Sequence, residues 1–226
     1  MKKALIVSLA INFIIAIFFI GKRYYYSYGA GSSMSSGSYY DQWNLMRSSV
    51  YDILPIDSTD IVFIGNSHTE CFPVAEIFGS DVKNRGIGGN QTEHILHRLP
   101  EIVAKRPRKI FIEAGVNDIV IGYNAEKAID NYKQIVATIK RASPITTIYI
   151  QSIFPVCLSY DKHNREIVSL NKRLHEFCKY NCVEYIDIYP HMVTGGKLDS
   201  ALTYDGLHLN GKGYAIWYRA IKDYVQ

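Results

Sequence analysis

The sequence predicts an α/β fold with a five-stranded parallel sheet between two layers of helices, a three-layer α/β/α arrangement. Two observations carry this. From Asp60 onward, short apolar runs rich in Ile, Val, Phe and Tyr alternate with longer stretches of helical periodicity. Residues 48–226 also supply enough chain for one domain with a full core, and they show no internal repeat. Strands alternating with helices imply parallel pairing with both faces covered.

The elements follow in order. Strands are expected at "DIVFIG" (60–65), "VKNRGI" (82–87), "KIFIEAG" (109–115), "TIYIQSI" (147–153) and "VEYIDIY" (183–189). Five such strands suggest the flavodoxin-like order 2-1-3-4-5. Between them, Ala125, Ala128, Ile129, Tyr132, Ile135, Val136 and Ile139 share one helical face, with Asn124 as N-cap. Ile167, Leu170, Leu174, Phe177 and Cys178 do the same, and a last helix is expected from about Tyr214 to Tyr224. Upstream, "YYDQWNLMRSSVYDIL" reads as a short helix that docks onto the domain.

The N-terminal part has a different character. Residues 4–20 are uncharged, with Ser8 and Asn12 as their polar members. Lys2 and Lys3 precede this run; Lys22, Arg23, Tyr24, Tyr25, Tyr26 and Tyr28 follow it as interfacial residues would. The run is short for a bilayer span, which needs ~20 residues. Residues 1–28 are read as a membrane anchor, or an uncleaved signal, that holds the domain outside the cytoplasm. The alternative is secretion after cleavage near Gly29-Ala30-Gly31. Residues 29–47 are a Gly/Ser-rich linker leading into the docking helix, and residues 48–226 form the domain.

Charge narrows the function classes. The net charge of +4 resides in residues 1–47, which carry five Lys/Arg against one Asp; the remainder carries 20 against 20. A nucleic-acid partner is therefore not expected, because its footprint is a basic patch. Cys71, Cys157, Cys178 and Cys182 form no CxxC pair and are read as small buried hydrophobes, with Cys178 and Cys182 four apart in a helix. Cys71 is placed inside the first helix as a core residue rather than a thiol nucleophile.

In an open parallel sheet the ligand crevice lies beyond the carboxyl ends of the strands. Four loops meet that condition: "GNSHTE" after the first strand, "NRGIGGNQT" after the second, "AGVNDI" after the third and "YDGLHLNGKG" after the fifth. Ser67, within "FIGNSHTECF", is either a nucleophile or simply a helix cap. Serine needs an adjacent base to attack at neutral pH. His208 can be that base, and Asp205 can hold its Nδ1 proton so that Nε2 faces Ser67. The Ser67 and Gly89 amides and the Asn117 side chain would supply the donors for an oxyanion. Glycine at 89 would let backbone approach a substrate closely.

These four blocks, "GNSHTE", "NRGIGGNQT", "GVND" and "DGLH", resemble those of the SGNH (GDSL-like) hydrolase superfamily over roughly residues 40–225. "NRGIGGNQTEHILHRL" is most similar to the branch containing platelet-activating-factor acetylhydrolase catalytic subunits and bacterial carbohydrate acetylesterases. The resemblance implies carboxylic-ester hydrolysis without metal or other cofactor. It also implies Ser67 as nucleophile, Gly89 and Asn117 as oxyanion donors, and Asp205 and His208 as triad partners. It further suggests acetyl groups on carbohydrate as the ester substrate. Asn66 stands where the family usually has aspartate. His68 replaces a commonly apolar residue and is read as facing solvent, with lining of an acyl pocket as the alternative.

Other readings fit less well. The stretch from Gly65 to Thr69 lacks the last glycine of the G-x-S-x-G elbow. "GIGG" is not a dinucleotide fingerprint, because Gln91 occupies the third glycine position. His94 and His97 lack a third metal ligand, and Asp187 with His191 is a weaker acid–base pair, read as structural. Acyl transfer to a sugar hydroxyl and a non-catalytic binding module on a membrane stalk are the competing functions.

Overall fold

In a computed structural model of the chain, described here for residues 36–226 with side chains from residue 42, residues from Asn44 onward form one compact unit. The expected anchor (1–28) and most of the linker lie outside the described residues. Among those described, no helix is long and apolar enough to cross a membrane.

The docking helix α1 spans Ser36–Ile53. The sheet follows as β1 (Ile61–Gly65), β2 (Val82–Gly86), β3 (Lys109–Glu113), β4 (Thr147–Gln151) and β5 (Glu184–Ile186). Its order is β2-β1-β3-β4-β5 and every pairing is parallel, as the alternating pattern predicts. β1 ends where its apolar run does and β2 one residue early, whereas β3, β4 and β5 stop two, two and three residues short, because the residues beyond turn into the loops above the sheet. Between the strands lie α2 (Ser67–Glu70), α3 (Val74–Phe78), α4 (Thr92–Val103), α5 (Val116–Val120), α6 (Ala125–Ala142) and α7 (Asn164–Tyr180). A two-stranded hairpin of β6 (Val193–Thr194) and β7 (Lys197–Leu198) precedes α8 (Gly211–Val225). This hairpin is too short to leave a periodic signal.

Side-chain alternation along the strands divides the core into two layers. Val62, Ile64, Ile110, Ile112, Ile148 and Ile150 pack under the faces of α4, α6 and α7. Ile61, Phe63, Phe111 and Tyr149 face the other way, against Phe72 and Trp217. Rings stack along that face, Phe63 on Phe111 at 4.6 Å and Phe111 on Tyr149 at 4.4 Å. Asn124 caps α6 by accepting from the Lys127 amide, as expected. The last helix begins at Gly211 rather than near Tyr214, because Asn210 accepts from the Lys212 and Gly213 amides and draws "GKG" into its first turn.

The cysteines depart from expectation. Cys157 and Cys178 are buried, whereas Cys71 and Cys182 are exposed and all four are free. Cys71 is no core residue: α2 is a single turn and ends before it. Cys182 lies past the end of α7 with φ at 48°, so the two are not on one helix.

Register fixes the site. Gly65 pairs level with Gly86 on one side and with Glu113 on the other, so three strands end flush. A Cβ at Gly86 would lie 2.2 Å from the Glu70 amide nitrogen, a backbone atom that cannot step aside. Gly86→Ala should therefore cost ~3 kcal/mol, the upper end for overpacking, read as a lowered urea midpoint with an unchanged slope.

Candidate active site

Between β1 and α2, Asn66 decides the role of Ser67. Its Oδ1 accepts from the His68 amide at 2.9 Å, so Asn66 is the cap and the Ser67 hydroxyl is left for another partner. An aspartate carboxylate would cap in the same way, which accounts for the tolerance of asparagine here. That other partner is His208, whose Nε2 lies 3.1 Å from Ser67 Oγ.

The His208 ring is oriented from behind. Its Nδ1 lies 2.7 Å from Asp205 Oδ2, while Asp205 Oδ1 accepts from the Leu207 and His208 amides at 2.9 and 2.8 Å. A carboxylate on Nδ1 fixes the proton there and leaves the Nε2 lone pair facing the serine. The 204–208 turn is itself anchored. Gly206 (φ 87°) donates to Thr203 Oγ1 and accepts from the Cys157 amide; a Cβ at Gly206 would sit 2.5 Å from the Cys157 carbonyl oxygen.

The second block packs against Ser67. A Cβ on Gly88 would come within 3.9 Å of Ser67 Cβ, and Gly89 has φ 77°, a left-handed conformation that favours glycine. Among the described residues no acceptor engages the Gly89 amide, while the Gly88 amide donates to Glu70 Oε2 at 2.7 Å. Asn117 donates one amide hydrogen to the Asn90 carbonyl at 3.0 Å and, having two, keeps a second. The structure thus brings Ser67, Asp205 and His208 into one hydrogen-bonded chain. It sets the Gly88–Gly89 turn against Ser67 and ties Asn117 to that turn.

Several supporting residues had no signal in the sequence. Arg98 donates to Asn90 Oδ1 and to the Gly65 carbonyl, and burial lowers its guanidinium to about 10. Arg47 of α1 pairs with Glu70 at 3.3 Å, and the Tyr51 hydroxyl donates to the Gly86 carbonyl at 2.7 Å. The docking helix therefore braces the loop carrying Gly88 and Gly89. Asp118 accepts from the Thr92 amide and hydroxyl and joins the third block to the start of α4. His94 Nδ1 accepts from the Gln91 amide, a capping role.

His68 overturns both expectations for it. Its side chain is 1% exposed, so it neither faces solvent nor lines an open acyl pocket. The ring lies between the Leu207 carbonyl, 2.9 Å from Nε2, and Glu113, 3.5 Å from Nδ1. Desolvation pulls its pKa down, but the Glu113 carboxylate and the Leu207 carbonyl outweigh that, and the net shift is upward.

Asp205 is shifted the other way. Desolvation, the largest single contribution, raises its pKa, but the His208 ring and the two turn amides together lower it more, holding the carboxyl well below the usual range. A depressed carboxyl contributes stability that is present above its unfolded value of ~3.9 and is lost as pH falls through the folded value. The stability gap between wild type and Asp205→Asn, followed by urea unfolding, should hold steady from pH 5 to 8 and shrink below pH ~4.

The profile of the GDSL-like Lipase/Acylhydrolase family matches residues 73–216, a span that includes Gly89, Asn117, Asp205 and His208 and begins just after Ser67. An N-acylneuraminate cytidylyltransferase of Escherichia coli O18:K1:H7 is 32% identical over 178 residues, 74% of this chain; the chain spans only 41% of that protein. The platelet-activating factor acetylhydrolase IB subunit alpha1 of Pongo abelii is 27% identical over 72% of this chain and 73% of its own length. A Streptococcus pneumoniae protein provisionally described as a platelet activating factor superposes with a TM-score of 0.76 at 28% identity, covering 84% of this chain and 96% of the other. With its parallel sheet and its Ser67–His208–Asp205 chain, the protein belongs to the GDSL-like lipase/acylhydrolase family.

Proposed function

We infer that the chain removes short acyl groups, acetyl foremost, from carbohydrate through an acyl-Ser67 intermediate. The observation that carries this is the unbroken path from Asp205 Oδ2 through the His208 ring to Ser67 Oγ, at 2.7 and 3.1 Å. Ser67 Oγ attacks the ester carbonyl as His208 Nε2 takes its proton. The oxyanion that forms is met by the amides of Ser67 and Gly89 and by the remaining Asn117 N–H. His208 then returns the proton to the departing sugar hydroxyl. A water, activated by the same ring, releases the acid and restores Ser67. Asp205 keeps the ring in one tautomer and stabilises its charge.

The substrate class draws on two supports. The side chains of His208 and Asp205 are 48% and 52% exposed, which suits an acyl group projecting from a large polar carrier. The relatives include an acetylhydrolase and a protein named for an acylated sugar acid. No step requires a metal. Residues 1–28, read as an anchor, would hold this activity outside the cytoplasm. Protease added to intact cells should digest a C-terminal tag, and a tag exposed only on lysis would overturn that placement.

Hydrolysis of p-nitrophenyl acetate should be lost in Ser67→Ala and should persist with chelator. Asn117→Ala should lower kcat by ~10²–10³-fold, and Asp205→Asn by on the order of 10²–10⁴-fold. Across p-nitrophenyl esters the rate should fall from two carbons to eight; a rise would remove the acetyl assignment.

A further inference from the structure

His68 and Glu113 take no part in these steps, yet they form a fully buried titratable pair directly beneath them. The Glu113 side chain is 0% exposed, and neither carboxylate oxygen has a hydrogen-bond partner among the described residues. A carboxylate so placed is costly unless a charge faces it. The group that faces it is the His68 ring, at 3.5 Å. In a strand whose other buried members are Ile110, Phe111 and Ile112, a carboxylate at this cost calls for a reason.

The reason lies on the opposite edge of the ring. Nε2 is 2.9 Å from the Leu207 carbonyl, an oxygen that can only accept, so Nε2 carries a proton. Leu207 precedes His208, and Ser67 precedes His68. Two neighbours on one segment therefore meet two neighbours on the other in two adjacent rungs: Ser67 Oγ with His208 Nε2, and His68 Nε2 with the Leu207 oxygen. The Tyr214 hydroxyl adds a third tie from α8, donating to the His68 carbonyl at 3.0 Å. The groups around the ring are Glu113 from β3, Asp205 and His208 from the triad turn, and Tyr214 from α8.

The geometry points to His68 as a positioning residue that sets the reach between His208 and Ser67, with Glu113 holding its ring in the orientation that aims Nε2 at Leu207. This rests on the reading of Ser67 and His208 as the reacting pair. The 204–208 turn carries two half-exposed side chains and lies far from Ser67 in the chain. The hidden rung fixes that turn at the residue next to the base. Small displacements of reacting groups are expensive, ~10²-fold for 1 Å.

The experiment compares full-chain wild type, His68→Leu and His68→Gln. It reads kcat and KM on p-nitrophenyl acetate, the rate of Ser67 labelling by a fluorophosphonate, and the imidazole ¹⁵N shifts of His208. His68→Leu should lower kcat and labelling ~10–100-fold with KM within about twofold. His68→Gln, whose amide N–H can reach the Leu207 carbonyl, should recover to within about fivefold of wild type. A folded His68→Leu with kcat within about twofold of wild type overturns the assignment, as does a glutamine variant no better than leucine. If His68→Leu does not fold, Glu113→Gln takes its place. It should lower kcat by roughly 3–10-fold at constant KM, and equality with wild type overturns the assignment. Wild type that neither hydrolyses nor labels would defeat the esterase reading instead. The brace is then judged on the His208 shifts, which should move in His68→Leu and not in His68→Gln; unmoved shifts in both overturn it.

Discussion

Parallel pairing of β1 with both β2 and β3, in a register that ends Gly65, Gly86 and Glu113 at one level, is the constraint on which the remaining structure rests. From that edge the chain needs only two, three and four residues to reach Ser67, Gly89 and Asn117. A side chain has no freedom to choose another site when the backbone beneath it is fixed so closely. The glycines are part of the same constraint. Gly65 lies against Thr69 and the Glu113 carbonyl, and Gly86 against the backbone of α2, so the first turn after β1 sits directly on the strand ends. A slip of one residue would exchange the two faces of a strand and carry the aromatic stack of Phe63 and Phe111 into the aliphatic layer.

The loops above this edge are held by polar groups as well as by apolar packing. Glu70 grips the Gly88 amide, Arg98 joins Asn90 to the Gly65 carbonyl, and Asp118 holds Thr92. Each bond satisfies a backbone or side-chain group that would otherwise be buried unpaired, at a cost of ~1–3 kcal/mol. Arg47 and Tyr51 extend the same network to α1. The helix preceding the domain is thus part of the scaffold of the Gly88–Gly89 turn and more than a connection to the N-terminal segment.

What the sequence reveals and what it hides divide along physical lines. Strand order and the helical faces of α6 and α7 were legible because burial on a parallel sheet imposes periodicity that a single sequence displays. The meeting of Ser67 with Asp205 and His208 was legible because Ser67 directly follows β1 and the 204–208 turn lies in the segment between the last sheet strand and α8. The hairpin of β6 and β7 was not, being two residues per strand. The start of α8 was misplaced because glycines at 211 and 213 read as a turn until the Asn210 cap is seen. Arg98 and Glu70 act through partners 8 to 33 residues away, a relation no local pattern encodes.

His68 is the most instructive of these failures. Between a serine and a threonine, a histidine looks like a surface residue, because an isolated imidazole is costly to bury. Its burial depends on two groups far off in the chain, the carboxylate of Glu113 and the carbonyl of Leu207. Glu113, read alone, looks equally misplaced in a strand of isoleucine and phenylalanine. Each makes sense only with the other present, and a one-residue reading penalises both. Where two residues that each violate a burial rule can meet, their joint placement carries more information than either violation. Here it leads from the centre of the sheet to the residue beside His208.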